Sequence, residues 1–297
     1  MEHNMRRSPI AVTAGILSFL LFAGQFIVSR HGVVQGLTPY DITALRYAVA
    51  GLIATPVVIS WGLADLGGLG WIRGLVLTLV SGVPYFLLMI AGLSYAQAAH
   101  AVVLNPGMTL IGGLLISALW LGERPTRIDL LASFIGLLGL AVIGWTSFSD
   151  LSEDTWVGDS LFLVTGLAWA IYMVLLARWR VSPIKATLVV AFMSLVYLPL
   201  YGATAMGDNI VESTTTSDIL LQAVYQGIVH SLIAMALFAF AVQKLGSGRV
   251  ALMTPIVPAA GIIMAVVLLD ERPGELQWLG AGLVCTGIGL TTFRRAN

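Results

Sequence analysis

Long apolar runs cut by short polar breaks set the pattern of this chain. Ten runs of about 18 residues or more stand near 10–29, 41–61, 71–93, 101–121, 128–148, 157–177, 185–205, 219–241, 249–269 and 276–293. A run of about 20 residues, coiled as a helix, matches a bilayer core of roughly 30 Å. Backbone groups in lipid must be satisfied within their own segment, so each run reads as a helix. The pattern predicts an all-α membrane protein with ten transmembrane helices. The first run follows Arg6 and Arg7, as a signal peptide would. It is too long for a signal core and lacks a clear small-x-small cleavage site, so it reads as a retained helix.

The breaks carry a repeat. Residues 119–125 read LWLGERP and residues 267–273 read VLLDERP. At an offset of 148, Leu121, Glu123, Arg124, Pro125, Leu131 and Gly139 fall on Leu269, Glu271, Arg272, Pro273, Leu279 and Gly287. Residues 1–148 and 149–297 then hold five runs each. Five is odd, so the second half enters the membrane from the other side. That is an inverted-topology repeat, a plan common among secondary transporters. Glu-Arg-Pro suits a helix-to-helix turn, with the proline placed to open the next helix. Neither copy has a nucleophile or histidine beside it, so these six residues read as architecture.

Composition agrees. Of 297 residues, 58% are hydrophobic and only 10% charged, with a mean hydropathy of +0.93. Soluble domains carry roughly a quarter charged residues. The loops that remain are too short for a soluble catalytic domain. With the N-terminus in the cytoplasm, twelve of the 15 Lys and Arg fall inside, and only Arg30, Arg46 and Arg272 fall outside. The positive-inside rule then places both termini in the cytoplasm, and the chain in the plasma (inner) membrane. Cys285 is alone, which excludes an internal disulfide, and no metal or cofactor motif is found. GxxxxGK[ST] is absent, so no ATP hydrolysis is expected. No catalytic pair or zinc motif stands at helix depth, which argues against an enzyme. Partners are predicted to be a small-molecule substrate and lipid, with no nucleic acid and no obligate soluble protein.

Two five-helix halves, each with LGERP or LDERP between its fourth and fifth helices, resemble the EamA-type branch of the drug/metabolite transporter superfamily. ALRY at 44–47 resembles the alRf element that this family carries early in helix 2. The resemblance spans essentially the whole chain, on short motifs. It implies a ten-helix bundle that exports small metabolites. Within the branch, similarity to YddG-type amino-acid exporters implies amino acids as cargo, although no single residue separates these from their relatives.

Transporter sites often lie beside interrupted helices at matching places in two halves. LNPGM at 104–108 is predicted to interrupt helix 4, and MTPIVP at 253–258 to interrupt helix 9. Pro106, Pro255 and Pro258, with Pro84 in helix 3, are the candidate hinges. Each proline frees a carbonyl in the preceding turn, which a hinge and a static packing kink would use equally well.

Helical spacing aligns Ser81 with Tyr85, Trp169 with Tyr172, and Gln226 with His230; Gln25 and Asn105 add polar groups on two further helices. Facing lipid would leave these groups unsatisfied, so they turn inward, to line a cavity or to join helices. His230 is the one ionisable group read at a helix middle. With no other charge placed there, the cavity is predicted to suit a solute that is neutral overall. A zwitterionic amino acid fits, its aromatic or apolar side chain held by Tyr85, Trp169 and Tyr172. The predicted activity is secondary export by alternating access. A broad-specificity drug/metabolite exporter is the alternative; an intramembrane enzyme or a membrane sensor is the reading from another class.

Overall fold

A computed structural model describes residues 9–92, 95–96, 98–122, 124–145, 154–203, 214–254, 256–269 and 274–293. Every regular element among them is helical. The first five runs become α1 (Pro9–Val34), α2 (Pro39–Ser60), α3 (Trp71–Ser81) continued by α4 (Val83–Gly92), α5 (Ala98–Leu121) and α6 (Arg127–Gly144). The second five begin with α7 (Thr155–Trp179), then α8 (Pro183–Met193), which passes through a 3-10 turn into α9 (Tyr197–Ala203). Next, α10 (Thr216–Gln222) runs through a π-helical stretch, Ala223–Ala234, into α11 (Met235–Leu245). Short α12 (Ser247–Ala251) precedes α13 (Ile256–Leu269), and α14 (Glu275–Phe293) closes the series. Seven helical segments among the described residues are long and apolar enough to cross a membrane, where the hydropathy pattern marked ten runs. Large apolar side chains face outward around the bundle, among them Ile72, Leu119 and Trp145. Water would not tolerate so much exposed apolar surface, and lipid does.

Side-chain caps start the helices. Thr126 precedes α6 and accepts the Asp129 amide at 3.3 Å, while the Asp129 carboxylate accepts the Thr126 amide at 2.9 Å. Thr38 and Asp41 build the same box before α2. The expectation that Pro125 opens α6 is therefore corrected. The proline stands one residue outside the cap, because a hydroxyl oxygen satisfies an orphan amide that a proline would merely omit. Glu123, Glu271, Arg272 and Pro273 lie outside the described residues. Thr126→Ala is expected to cost about 1 kcal/mol of stability, seen as a lower thermal midpoint of the detergent-purified protein.

Helices from the two halves interleave. α1 packs on α11 and α13, α2 on α8 and the π-helical stretch, α5 on α7, and α6 on α14. Gly15 of α1 lies against Ala241 and Met253, whereas Gly24 lies against Tyr225. The start of α1 is thus at the end of the bundle where α11 finishes.

Of the two interruptions expected at LNPGM and MTPIVP, only the second is present. α5 stays helical through Pro106. Its flanks are clamped to α7, with Asn105 Nδ2 donating to Thr165 Oγ1 at 2.9 Å and Thr109 Oγ1 donating to the Gly166 carbonyl at 3.1 Å. Those ties hold the helix across the missing amide bond. In the second half the break is present: α12 stops at Ala251, and the amides of Met253, Thr254, Ile256 and Val257 bond back by only three residues. Pro255 lies outside the described residues, and Pro258 is buried within α13. The break between α3 and α4 falls at Gly82, with Pro84 in the first turn of α4. The Gly82 amide reaches the Thr78 carbonyl at 2.7 Å, and a Cβ there would sit 2.5 Å from that oxygen. Only glycine fits so close an approach.

Candidate functional site

α1, α2, α4, α5, α7, the π-helical stretch and the α12–α13 break surround a narrow cavity of about 50 Å³. Gln25, Tyr85, Asn105, Pro106, Trp169 and His230, all singled out from the sequence, line it together. Phe22, Arg46, Phe86 and Thr254 line it as well. A cavity of that size has room for a few waters, not for an amino acid. Entry of a larger solute therefore requires the helices to move.

Trp169 is the hub of its apolar side. The indole contacts Phe238 at 5.1 Å, Tyr85 at 5.2 Å, Tyr172 at 5.4 Å and Phe22 at 5.6 Å between ring centroids. Tyr172 shares the α7 face of Trp169 but sits one layer behind, fully buried and stacked on Phe238. Ser81 is buried and donates to the Leu77 carbonyl at 2.8 Å. Gln226 is spent on a tie between helices, its amide donating to Ser29 Oγ at 2.8 Å. Ser81, Tyr172 and Gln226 support the walls and do not border the cavity.

The polar side differs from expectation at one residue. The sequence pattern puts Arg46 among the outside cations and no Lys or Arg at helix depth. It lies within α2, 3% exposed, and its Nη2 donates to His230 Nδ1 at 2.7 Å. Arginine has no acceptor, so this His230 nitrogen accepts and the ring hydrogen is on Nε2. The guanidinium also lies 4.1 Å over the Phe86 ring, a cation–π geometry. The cavity is therefore not free of charge. A run read by average hydropathy hides one Arg among mostly apolar neighbours, and only the ALRY motif marks this position. Among the described residues no cluster of His, Cys, Asp and Glu could hold a metal ion.

A second hollow, of about 660 Å³, opens where α5, α7 and α11 end and α6 and α12 begin. Arg124, Arg180, Lys244 and Arg249 border it, with Asp129 as the one acid among the described residues. Leu252 faces this vestibule, while Thr254 and Val257 face the central cavity, so the α12–α13 break separates the two spaces. Polar ties close the opposite end. His31 Nε2 meets Asp218 Oδ1 at 2.7 Å, Tyr201 donates to Asp41 at 2.5 Å, and Gln222 donates to the Val28 carbonyl at 2.5 Å.

Comparison with known proteins accords with this architecture. The model of the EamA-like transporter family matches residues 9–145 and again 156–293. An uncharacterized transporter of Archaeoglobus fulgidus is 26% identical, the alignment covering 94% of this chain and 96% of that protein. A protein of Escherichia coli named a probable amino-acid metabolite efflux pump is 23% identical over 94% of each chain. One of Streptantibioticus cattleyicolor, named a probable terminal-alkyne amino-acid exporter, is 25% identical over 96% of this chain and 94% of its own. One solved crystal structure shares the fold with a TM-score of 0.77 at 20% identity, covering 97% of this chain and 99% of that one. Two family matches in tandem, on a chain whose described elements are all helical and whose outer surface is apolar, place this multi-pass protein of the plasma (inner) membrane in the EamA-like transporter family.

Proposed function

We propose that the chain exports small neutral or zwitterionic metabolites, foremost amino acids with aromatic or other apolar side chains, by alternating access through the central cavity. The observation that carries this reading is the meeting of two unlike walls in one cavity. Trp169, Tyr85 and Phe22 offer flat apolar area, while Gln25, Asn105 and Thr254 offer amides and a hydroxyl to an ammonium group. The Thr254 hydroxyl is buried with no partner, which leaves it available to a guest. Two relatives named for amino-acid export support the same cargo.

In this reading residues 1–148 and 149–297 are inverted five-helix repeats, with ten spans and both termini in the cytoplasm. The vestibule then faces the cytoplasm, and the tied end faces outward. α5 and α13 finish at Leu121 and Leu269, and α6 and α14 begin at Arg127 and Glu275, which keeps the 148-residue offset. The α12–α13 break lies between vestibule and cavity, where a hinge would open one to the other.

Counterflow tests the cargo. Liposomes holding the purified protein and unlabelled phenylalanine are diluted into labelled phenylalanine, with lysine, glutamate and a quaternary ammonium dye as comparators. Phenylalanine is expected to accumulate transiently and the dye is not. Dye flux without phenylalanine flux would favour the broad drug exporter and reject the amino-acid reading.

A further inference from the structure

We propose that Arg46 is the subsite that receives the carboxylate of the transported solute. The inference rests on the central cavity being the transport path and adds the group that the path selects. Arg46 is 3% exposed, borders the cavity, and has Nε and Nη1 without any hydrogen-bond partner. No Asp or Glu among the described residues forms an ion pair with it. Arginine keeps its charge in proteins, and a buried charge without an anion is costly. The bond to His230, the face of Phe86 and the neighbouring Tyr47 hydroxyl offset part of that cost, and none of the three supplies a negative charge. A planar fork with open N–H groups is the arrangement that matches a carboxylate.

The surroundings fit an incoming carboxylate. Nδ1 of His230 holds one amino group of the fork, and Phe22 backs the imidazole at 5.0 Å between ring centroids, so the guanidinium cannot swing freely. Asn105 and Thr254, which line the same cavity, remain for the other end of an amino acid. The vestibule that leads toward this point is bordered by Arg124, Arg180 and Lys244, which attract anionic groups. Because the cavity is narrow, the carboxylate reaches Arg46 only once the helices part. The binding energy it releases there favours the opened state.

The test uses probes that each carry one end of phenylalanine. 3-Phenylpropanoate keeps the carboxylate and 2-phenylethylamine keeps the amine. Thermal unfolding of the detergent-purified protein should shift upward with 3-phenylpropanoate and not with the amine. Arg46→Gln should abolish the shift. Arg46→Lys, which keeps the charge but loses the fork, should retain a smaller shift and raise the KM for phenylalanine exchange roughly 10- to 100-fold, with turnover changed far less. If Arg46→Gln does not fold, Arg46→Lys carries the test: an unchanged KM and an unchanged shift would overturn the assignment. Equal stabilisation by amine and propanoate in the wild type would overturn it as well. A propanoate shift without phenylalanine counterflow would keep the subsite and remove the amino-acid reading. Phenylalanine counterflow inhibited equally by both probes would keep the transport reading and remove the subsite.

Discussion

Trp169→Ala is expected to lower phenylalanine exchange by about tenfold or more and to lower stability by about 3–5 kcal/mol. The indole is 7% exposed and packs against four other aromatic rings, from α1, α4, α7 and α11. Its removal leaves a void that Tyr85 and Phe238 cannot both fill, since each ring is held from its other side. Tyr85 carries a hydroxyl placed 3.6 Å from Met89 Sδ, and Phe238 is stacked on Tyr172. Trp169→Phe separates packing from recognition. It should recover most of the thermal midpoint while exchange of tryptophan and phenylalanine stays below wild type. Counterflow and thermal unfolding on the same preparations check both parts. Full exchange by Trp169→Ala would remove the indole from the substrate wall.

Gly166→Leu is expected to prevent a folded, monodisperse preparation. A Cβ at Gly166 would stand 2.6 Å from the Asn105 carbonyl oxygen and 2.8 Å from Met108 Cβ. The obstacle is backbone, not the end of a flexible side chain, so α5 and α7 would have to separate. Overpacking of this kind costs about 1–3 kcal/mol, occasionally more. Here the separation would also pull Asn105 from Thr165 and Thr109 from the Gly166 carbonyl, and so disturb the cavity wall. Gly202→Ala is the matched comparison, since a Cβ there meets nothing within 4 Å. It should leave size-exclusion profile, thermal midpoint and exchange near wild type. A monodisperse, exchange-competent Gly166→Leu protein would mean that the α5–α7 contact is looser than described.

Several lining residues were legible because their signal is local. Trp169, Tyr85, Asn105, Gln25 and His230 are polar or aromatic at positions where an apolar run needs neither. Such groups must turn away from lipid whatever their partners are. The same local rule does not distinguish a first layer from a second. Tyr172 is three residues from Trp169 on one face, yet Trp169 itself stands between it and the cavity. Gln226 and His230 are four apart, and the π-helical stretch that carries them sends one to Ser29 of α1 and the other to Arg46 of α2. No propensity marks a π-helix in advance, because it forms where neighbouring helices require a wider turn.

The sequence by itself determined that this chain is helical, lies in a membrane, and carries a turn motif twice at a spacing of 148 residues. Hydropathy and helix length are properties of contiguous residues, and no partner is needed to read them. Tertiary structure alone decided three things. Packing of α7 keeps α5 helical through Pro106, whereas the chain at 252–254 breaks. The vestibule and the cavity lie on opposite sides of that break. Arg46, 184 positions from His230, is a buried cation and not a loop charge. Each of these depends on which distant helix stands beside a residue, and the free energy that settles it belongs to the contact, not to either segment alone.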